Sequence, residues 1–91
     1  MTVYVDKIIE YAEGQISPPA RRYGNKWCHM WADTTAELDA FAMKMGLLHS
    51  WRQNDPRLVH YDLIPSKRAL AIYLGAVEAS LRDRLQAELR R

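Results

Sequence analysis

The stretch from Trp27 to Gly46 constrains this fold more than any other, because it sets a strand against a helix with almost no connecting chain. Trp27-Cys28-His29-Met30-Trp31-Ala32 reads as a strand with two unlike faces: Cys28, Met30 and Ala32 on one, Trp27, His29 and Trp31 on the other. The small apolar set is the expected core face. Asp33 follows, and Thr34 with Glu37 has the form of a capping box. Leu38, Phe41, Ala42 and Met45 then keep the spacing of an amphipathic helix. Gly46 supplies the stop, since glycine takes the left-handed conformation that ends helices without steric cost.

The flanking sequence extends this pattern. Thr2-Val3-Tyr4-Val5 is β-branched and aromatic and predicts a strand ending at Asp6. Residues 7–26 carry Gly14, Ser17-Pro18-Pro19 and Gly24-Asn25, which predict an excursion loop with a helical turn at Lys7 to Ala12. Leu47 to Gln53 is expected to form a third strand, with Asn54-Asp55-Pro56 turning the chain, and Val59 to Leu63 a short extended segment. Pro65 suits the first position of a second helix running to Leu74, because its missing N–H needs no partner there. Gly75 ends that helix and Ala76-Val77-Glu78 adds a short strand. Ser80 and Asp83 then cap an amphipathic helix over about residues 80–91 carrying Leu81, Leu85 and Leu89. The order implies one α/β domain over residues 1–91, with a three- to four-stranded, partly parallel sheet packed with about three helices.

Composition fits that reading: 48% apolar content and 26% charge describe a globular chain rather than a disordered one. Cys28 is the single cysteine, so no internal disulfide can form, and a reducing, cytoplasmic setting is expected. No apolar run approaches the roughly 20 residues that cross a bilayer. The net charge of +2 does not by itself indicate a nucleic-acid binder, although its distribution is uneven. Arg21, Arg22 and Lys26 stand without an acid between them, and residues 67–91 hold six basic residues against three acidic ones.

Chemistry is expected where strands end. Asp6, Asp33 and the His60/Asp62 pair all fall at or near predicted strand termini, the edge at which open α/β sheets bind ligands. Asp6, Asp33 and Asp62 are therefore the candidate ligands of a divalent cation such as magnesium or manganese, with His29 and His60 as additional nitrogen donors. The competing reading makes Asp33 part of a helix start, Asp6 a turn residue, and the histidines partly buried side chains with local partners. A second constellation suits phosphate: Arg21, Arg22 and Lys26 in the loop, and Ser66, Lys67 and Arg68 in the first turn of a helix whose free N–H groups attract anions. Lys67 and Arg68 oppose the helix dipole there, a conflict that an anionic ligand would relieve. Trp31 and Tyr61 are the candidate stacking groups, set against the common use of such rings as core. No Gly-x-Gly-x-x-Gly, Walker loop or Cys-x-x-Cys is present. Cys28 and His29, adjacent on a strand, point to opposite faces and cannot act as nucleophile and base.

These motifs, taken in order, resemble one family. Met1 to Asp6, Trp27 to Asp33, Glu37-Leu38 with Ala40-Phe41-Ala42, Gly46-Leu47, and His60-Tyr61-Asp62-Leu63 through Lys67-Arg68 and Gly75-Ala76-Val77 look like the domain of unknown function 4031 of bacteria and their phages. The resemblance covers Met1 to about Val77. It implies no established activity, and its phage members allow a counter-defence role. The chain departs from the pattern in a longer Lys7 to Gln15 excursion, and in Ile64, where a Thr cap is expected. That replacement weakens the cap by about 1 kcal/mol.

The leading expectation is a phosphate or nucleotide binding module: Arg21, Arg22, Ser66, Lys67 and Arg68 hold phosphate, Trp31 or Tyr61 stacks on a base, and His29, Asp33, His60 and Asp62 line the same cleft. A nucleic-acid ligand falls in the same class. The alternative is a metal-dependent phosphoester hydrolase or nuclease-like enzyme, with His29 or His60 moving a proton. A third reading is a non-enzymatic interaction module that forms a homodimer through the C-terminal helix.

Overall fold

The structure, a computed structural model, describes residues 2–16 and 23–83. Six strands form one mixed sheet: β1 (Val3–Val5), β2 (Ile9–Glu10), β3 (Lys26–Ala32), β4 (Gln53–Asp55), β5 (Leu58–Leu63) and β6 (Val77–Glu78). Two α-helices, α1 (Thr35–Lys44) and α2 (Pro65–Tyr73), pack on one face. The main path runs β4-β5-β3-β1-β6, and β2 pairs with β3 beside β1. Among the described residues, only the β1–β6 pair is parallel. The sheet thus has more strands than the three to four expected, because the excursion returns a short strand, β2, to it and the short segments at Gln53–Asp55 and Val77–Glu78 both pair as strands.

The core lies between the sheet and the helices. Val3, Val5, Cys28, Met30, Tyr61 and Leu63 meet Leu38, Ala42, Met45 and Ala71 there. Cys28 and Met30 point inward as their alternation requires, and burial pushes the Cys28 thiol up to about 12, which keeps it protonated and inert. Thr34 caps α1 by accepting a bond from the Glu37 N–H at 3.2 Å. The reciprocal half of the capping box does not form, and Glu37 Oε2 is buried without a partner. Gly46 closes α1 with φ of 78°. α2 begins at Pro65 after Ile64, which makes no side-chain cap.

Several local expectations shift. Lys7 to Ala12 is not a helical turn: Ile9 and Glu10 pair with Trp27 and Lys26, and a 3₁₀ turn follows at Glu13–Gln15. Leu47 to Gln53 is not a strand either, as His49–Trp51 forms a 3₁₀ turn and the strand begins at Gln53. Asn54 and Asp55 belong to β4, and the hairpin turns at Pro56-Arg57 instead. Asp55 Oδ1 accepts a bond from the Arg57 N–H at 2.8 Å, so the aspartate closes the turn from the strand end rather than from inside it. At the far end, Ser80 Oγ accepts from the Asp83 N–H, the start of the expected last helix. Leu85 and Leu89, and with them the dimer face, lie outside the described residues. None of the described helices is long and apolar enough to cross a membrane.

Candidate functional site

The sheet's second face carries the site. Strand alternation places Trp27, His29 and Trp31 of β3 opposite the core side, and the register sets His29 against Asp62 of β5. His60, two residues earlier on β5, shares that face, and Gln53 of β4 lies beside it. A cleft of about 680 Å³ opens over these central strands. The chain leaving β2 brings Tyr11, Gln15 and Ile16 to it, and Tyr23 joins them; the segment leading into β4 brings Leu47, Ser50 and Trp51. Ile64 and Lys67, at the start of α2, complete the lining.

Asp6 organises the floor. Between the pairs Val5–Met30 and Ile9–Trp27, one strand advances four residues and its partner three, so the chain at Asp6 to Ile8 holds a β-bulge. The bulge frees groups that a regular ladder would consume. Asp6 Oδ1 accepts the His29 N–H at 2.6 Å, and Oδ2 lies 2.7 Å from His29 Nδ1. The Asp6 carbonyl accepts from Arg68 Nε at 2.8 Å, while the other arm of that guanidinium donates to Glu78 Oε1. Asp6 is 7% exposed, so a carboxylate left there without these donors would be costly to hold.

The two histidines are therefore oriented alike. His29 Nδ1 faces a carboxylate and His60 Nδ1 lies 2.8 Å from the Leu58 carbonyl, so each Nδ1 carries the proton in the neutral ring and leaves Nε2 as a lone pair. The rings meet edge to face at 5.1 Å between centroids. His60 Nε2 lies 3.5 Å from Asp62 Oδ1. Burial pulls the His60 imidazole down, but Asp62 and the Leu58 carbonyl outweigh it and leave its pKa raised. His29, His60 and Asp62 each present a ligand atom, all within 4.8 Å of one another. Tyr11 lines the same cleft, its phenol pushed up by burial and further by Asp62 and Asp6, and so stays protonated.

The sequence-predicted residues divide sharply. His29, His60, Asp62 and Lys67 come together at the cleft. Asp33 does not: β1 and β3 are antiparallel, so their C-terminal ends lie at opposite edges of the sheet. Asp33 sits beside Thr2, four residues and roughly 13 Å along β1 from Asp6, and accepts from the Tyr4 hydroxyl. The metal triad Asp6, Asp33 and Asp62 therefore does not form, and Asp6 acts behind His29. Trp31 is buried and stacks on Tyr4 at 5.7 Å, and Tyr61 is buried in the core with its hydroxyl donating to Asp39. Neither ring offers a face to a base. Arg68 is held by Asp6 and Glu78, so these protein acceptors rather than an anion answer the helix-dipole conflict. Ser66 is exposed at the first turn of α2 and does not line the cleft. Arg21 and Arg22 lie outside the described residues.

Sequence reasoning missed Tyr11, Tyr23, Trp27 and Trp51 as the aromatic walls. Trp27 was legible as sharing the His29 face; the others come from loops with no periodicity to place them. It also missed Asp39, whose carboxylate takes Arg52 Nη1 at 2.6 Å and the Tyr61 hydroxyl at 3.0 Å. That pair ties α1 to the segment carrying Ser50 and Trp51.

These features define a small mixed α/β domain with a two-histidine, one-carboxylate cluster under an aromatic cleft. The chain belongs to the DUF4031 family, described as a protein of unknown function, whose model matches residues 3–91. No curated protein and no solved structure matches it.

Proposed function

We propose that this protein binds a nucleotide-type phosphorylated ligand in the cleft between the excursion and the β4 segment. The observation that carries the reading is the cleft itself, at about 680 Å³ within the usual range for small-molecule sites, with aromatic walls and a few convergent polar groups. Tyr23 and Trp51, 52% and 48% exposed, retain free ring surface for stacking on a base. Lys67 and the start of α2 supply positive potential at the rim, where a phosphate is favoured.

Titrating the protein with nucleoside mono-, di- and triphosphates while following tryptophan fluorescence tests this. Saturable quenching, weakened at least tenfold by Lys67→Ala or Trp51→Ala with little change in melting temperature, is the expected result. A full panel without saturable response overturns it.

A second reading, phosphoester hydrolysis, is favoured by the Asp6–His29 pair. A carboxylate on Nδ1 fixes the ring in the tautomer that leaves Nε2 free to accept a proton from a water in the cleft. Product analysis by ion-pair chromatography checks it. Cleavage that survives His29→Gln undiminished overturns that role.

A further inference from the structure

We infer that His29, His60 and Asp62 form a mononuclear site for a borderline divalent transition metal, bound through the two Nε2 atoms and an Asp62 carboxylate oxygen. Three independent features support it. Their ligand atoms already lie within 4.8 Å of one another. Bonds of about 2.0–2.2 Å would set neighbouring ligands roughly 3–3.5 Å apart, so closure asks for movements of about 1 Å. Asp62 is partly exposed, and small torsions of its side chain supply that movement.

The tautomers come next. Metal-binding histidines generally donate their other ring N–H to a carboxylate or a backbone carbonyl. Both partners occur here, Asp6 behind His29 and the Leu58 carbonyl behind His60. Neither is an accident of a flexible side chain. Asp6 is fixed by the bulge and by its bond to the His29 N–H, and Leu58 lies on the same strand as His60.

Local charge is the third feature. Asp62 Oδ1 has His60 Nε2 at 3.5 Å as its ion-pair contact, too long for a strong hydrogen bond. Among the described residues, no lysine or arginine pairs with it, although Arg52, Arg57 and Arg68 each pair with another carboxylate. A cation between the imidazoles and Asp62 would satisfy all three groups.

Donor type selects the metal. Two imidazoles and one carboxylate suit zinc, manganese, iron(II) or cobalt, whereas magnesium and calcium prefer oxygen ligands. Three protein ligands from adjacent strands leave coordination positions facing the cleft, so the metal could also hold a water or a phosphate oxygen. The site stands apart from the nucleotide proposal, since it requires only the sheet and the bulge.

Equilibrium dialysis of the EDTA-treated protein against zinc, manganese and magnesium chlorides, with metal content measured by mass spectrometry and no nucleotide present, tests the site. One zinc or manganese per chain, with magnesium at least 100-fold weaker, is expected. His60→Ala and Asp62→Ala should each weaken zinc binding at least 100-fold, and Asp6→Asn should weaken it 10- to 100-fold by reversing the His29 tautomer. Thermal unfolding in EDTA, where all variants must melt cooperatively, separates lost ligands from lost fold. Cobalt adds a direct signature: visible absorption bands in the wild-type protein that are absent in His60→Ala. Zinc binding that is undetectable, or unchanged in both His60→Ala and Asp62→Ala, overturns the site.

Discussion

Replacing Asp6 by Asn tests the organisation of the floor most directly. The side chain keeps its volume, and its remaining oxygen can still accept the His29 N–H, now 2.6 Å away. The new amide nitrogen, however, would face His29 Nδ1 across the 2.7 Å contact, donor against donor. The ring must then move its proton to Nε2, and the two charge-assisted bonds become neutral ones. Each such change is worth on the order of 0.5–1 kcal/mol, so the variant should lose about 1–2 kcal/mol. In a domain of this size each kcal/mol shifts the melting temperature by about 4–8 °C, giving a drop of roughly 5–15 °C. Circular-dichroism melting in EDTA reads the stability, and nitrogen-15 chemical shifts of the imidazoles read the tautomer. A variant with the wild-type melting temperature and a proton still on Nδ1 would refute the claim that Asp6 fixes His29.

Further outcomes follow from the same contacts. Arg68→Met keeps the aliphatic stem but leaves the Asp6 carbonyl without its donor, and should cost about 1–3 kcal/mol in urea unfolding; a neutral result would mean the guanidinium does not support the bulge. Tyr61→Phe removes the hydroxyl that Asp39 accepts and should cost about 1 kcal/mol, with slightly faster proteolysis of the 48–54 segment as its independent readout. His60 gives a pH dependence with a defined sign. Its folded pKa is raised, so its contribution to the metal-free protein is fully present below the ordinary value of 6.5 and is lost as pH rises through the folded value. Urea unfolding in EDTA between pH 5 and 8 should show that loss, and His60→Asn should flatten it.

The contrast between Lys67 and Arg68 shows how far sequence reasoning reaches. Both are legible as cations placed against a helix dipole, and sequence offers no way to tell that Arg68 pairs with a carboxylate while Lys67 reaches only the Met45 carbonyl at 3.5 Å. Only the packing of α2 on the sheet brings Arg68 to the Asp6 carbonyl and leaves Lys67 at the cleft. Asp33 fails for a related reason. Its place at a strand end was correct, but the value of that position depends on strand direction, and the antiparallel β1–β3 pair puts Asp6 and Asp33 at opposite edges. Tyr61 departs from its expected stacking role because the signature His60-Tyr61-Asp62 reads as one unit in sequence, whereas a strand sends its middle residue to the other face.

Local chemistry was therefore determined by the sequence alone: the strand from Trp27 to Ala32 and its two faces, the Thr34 cap, the Gly46 stop, Pro65 at the first position of α2, and the buried, unreactive Cys28. Each depends on interactions within a few residues, or on a two-residue alternation that burial enforces. Long-range pairing was decided by the tertiary structure. The one-residue bulge at Asp6 turns a strand-end carboxylate into the group that orients His29, and the β3–β5 register sets His29 beside Asp62 with His60 next to them. Such pairings join residues 23 to 33 positions apart, where no periodicity survives and only the packed sheet fixes which groups meet.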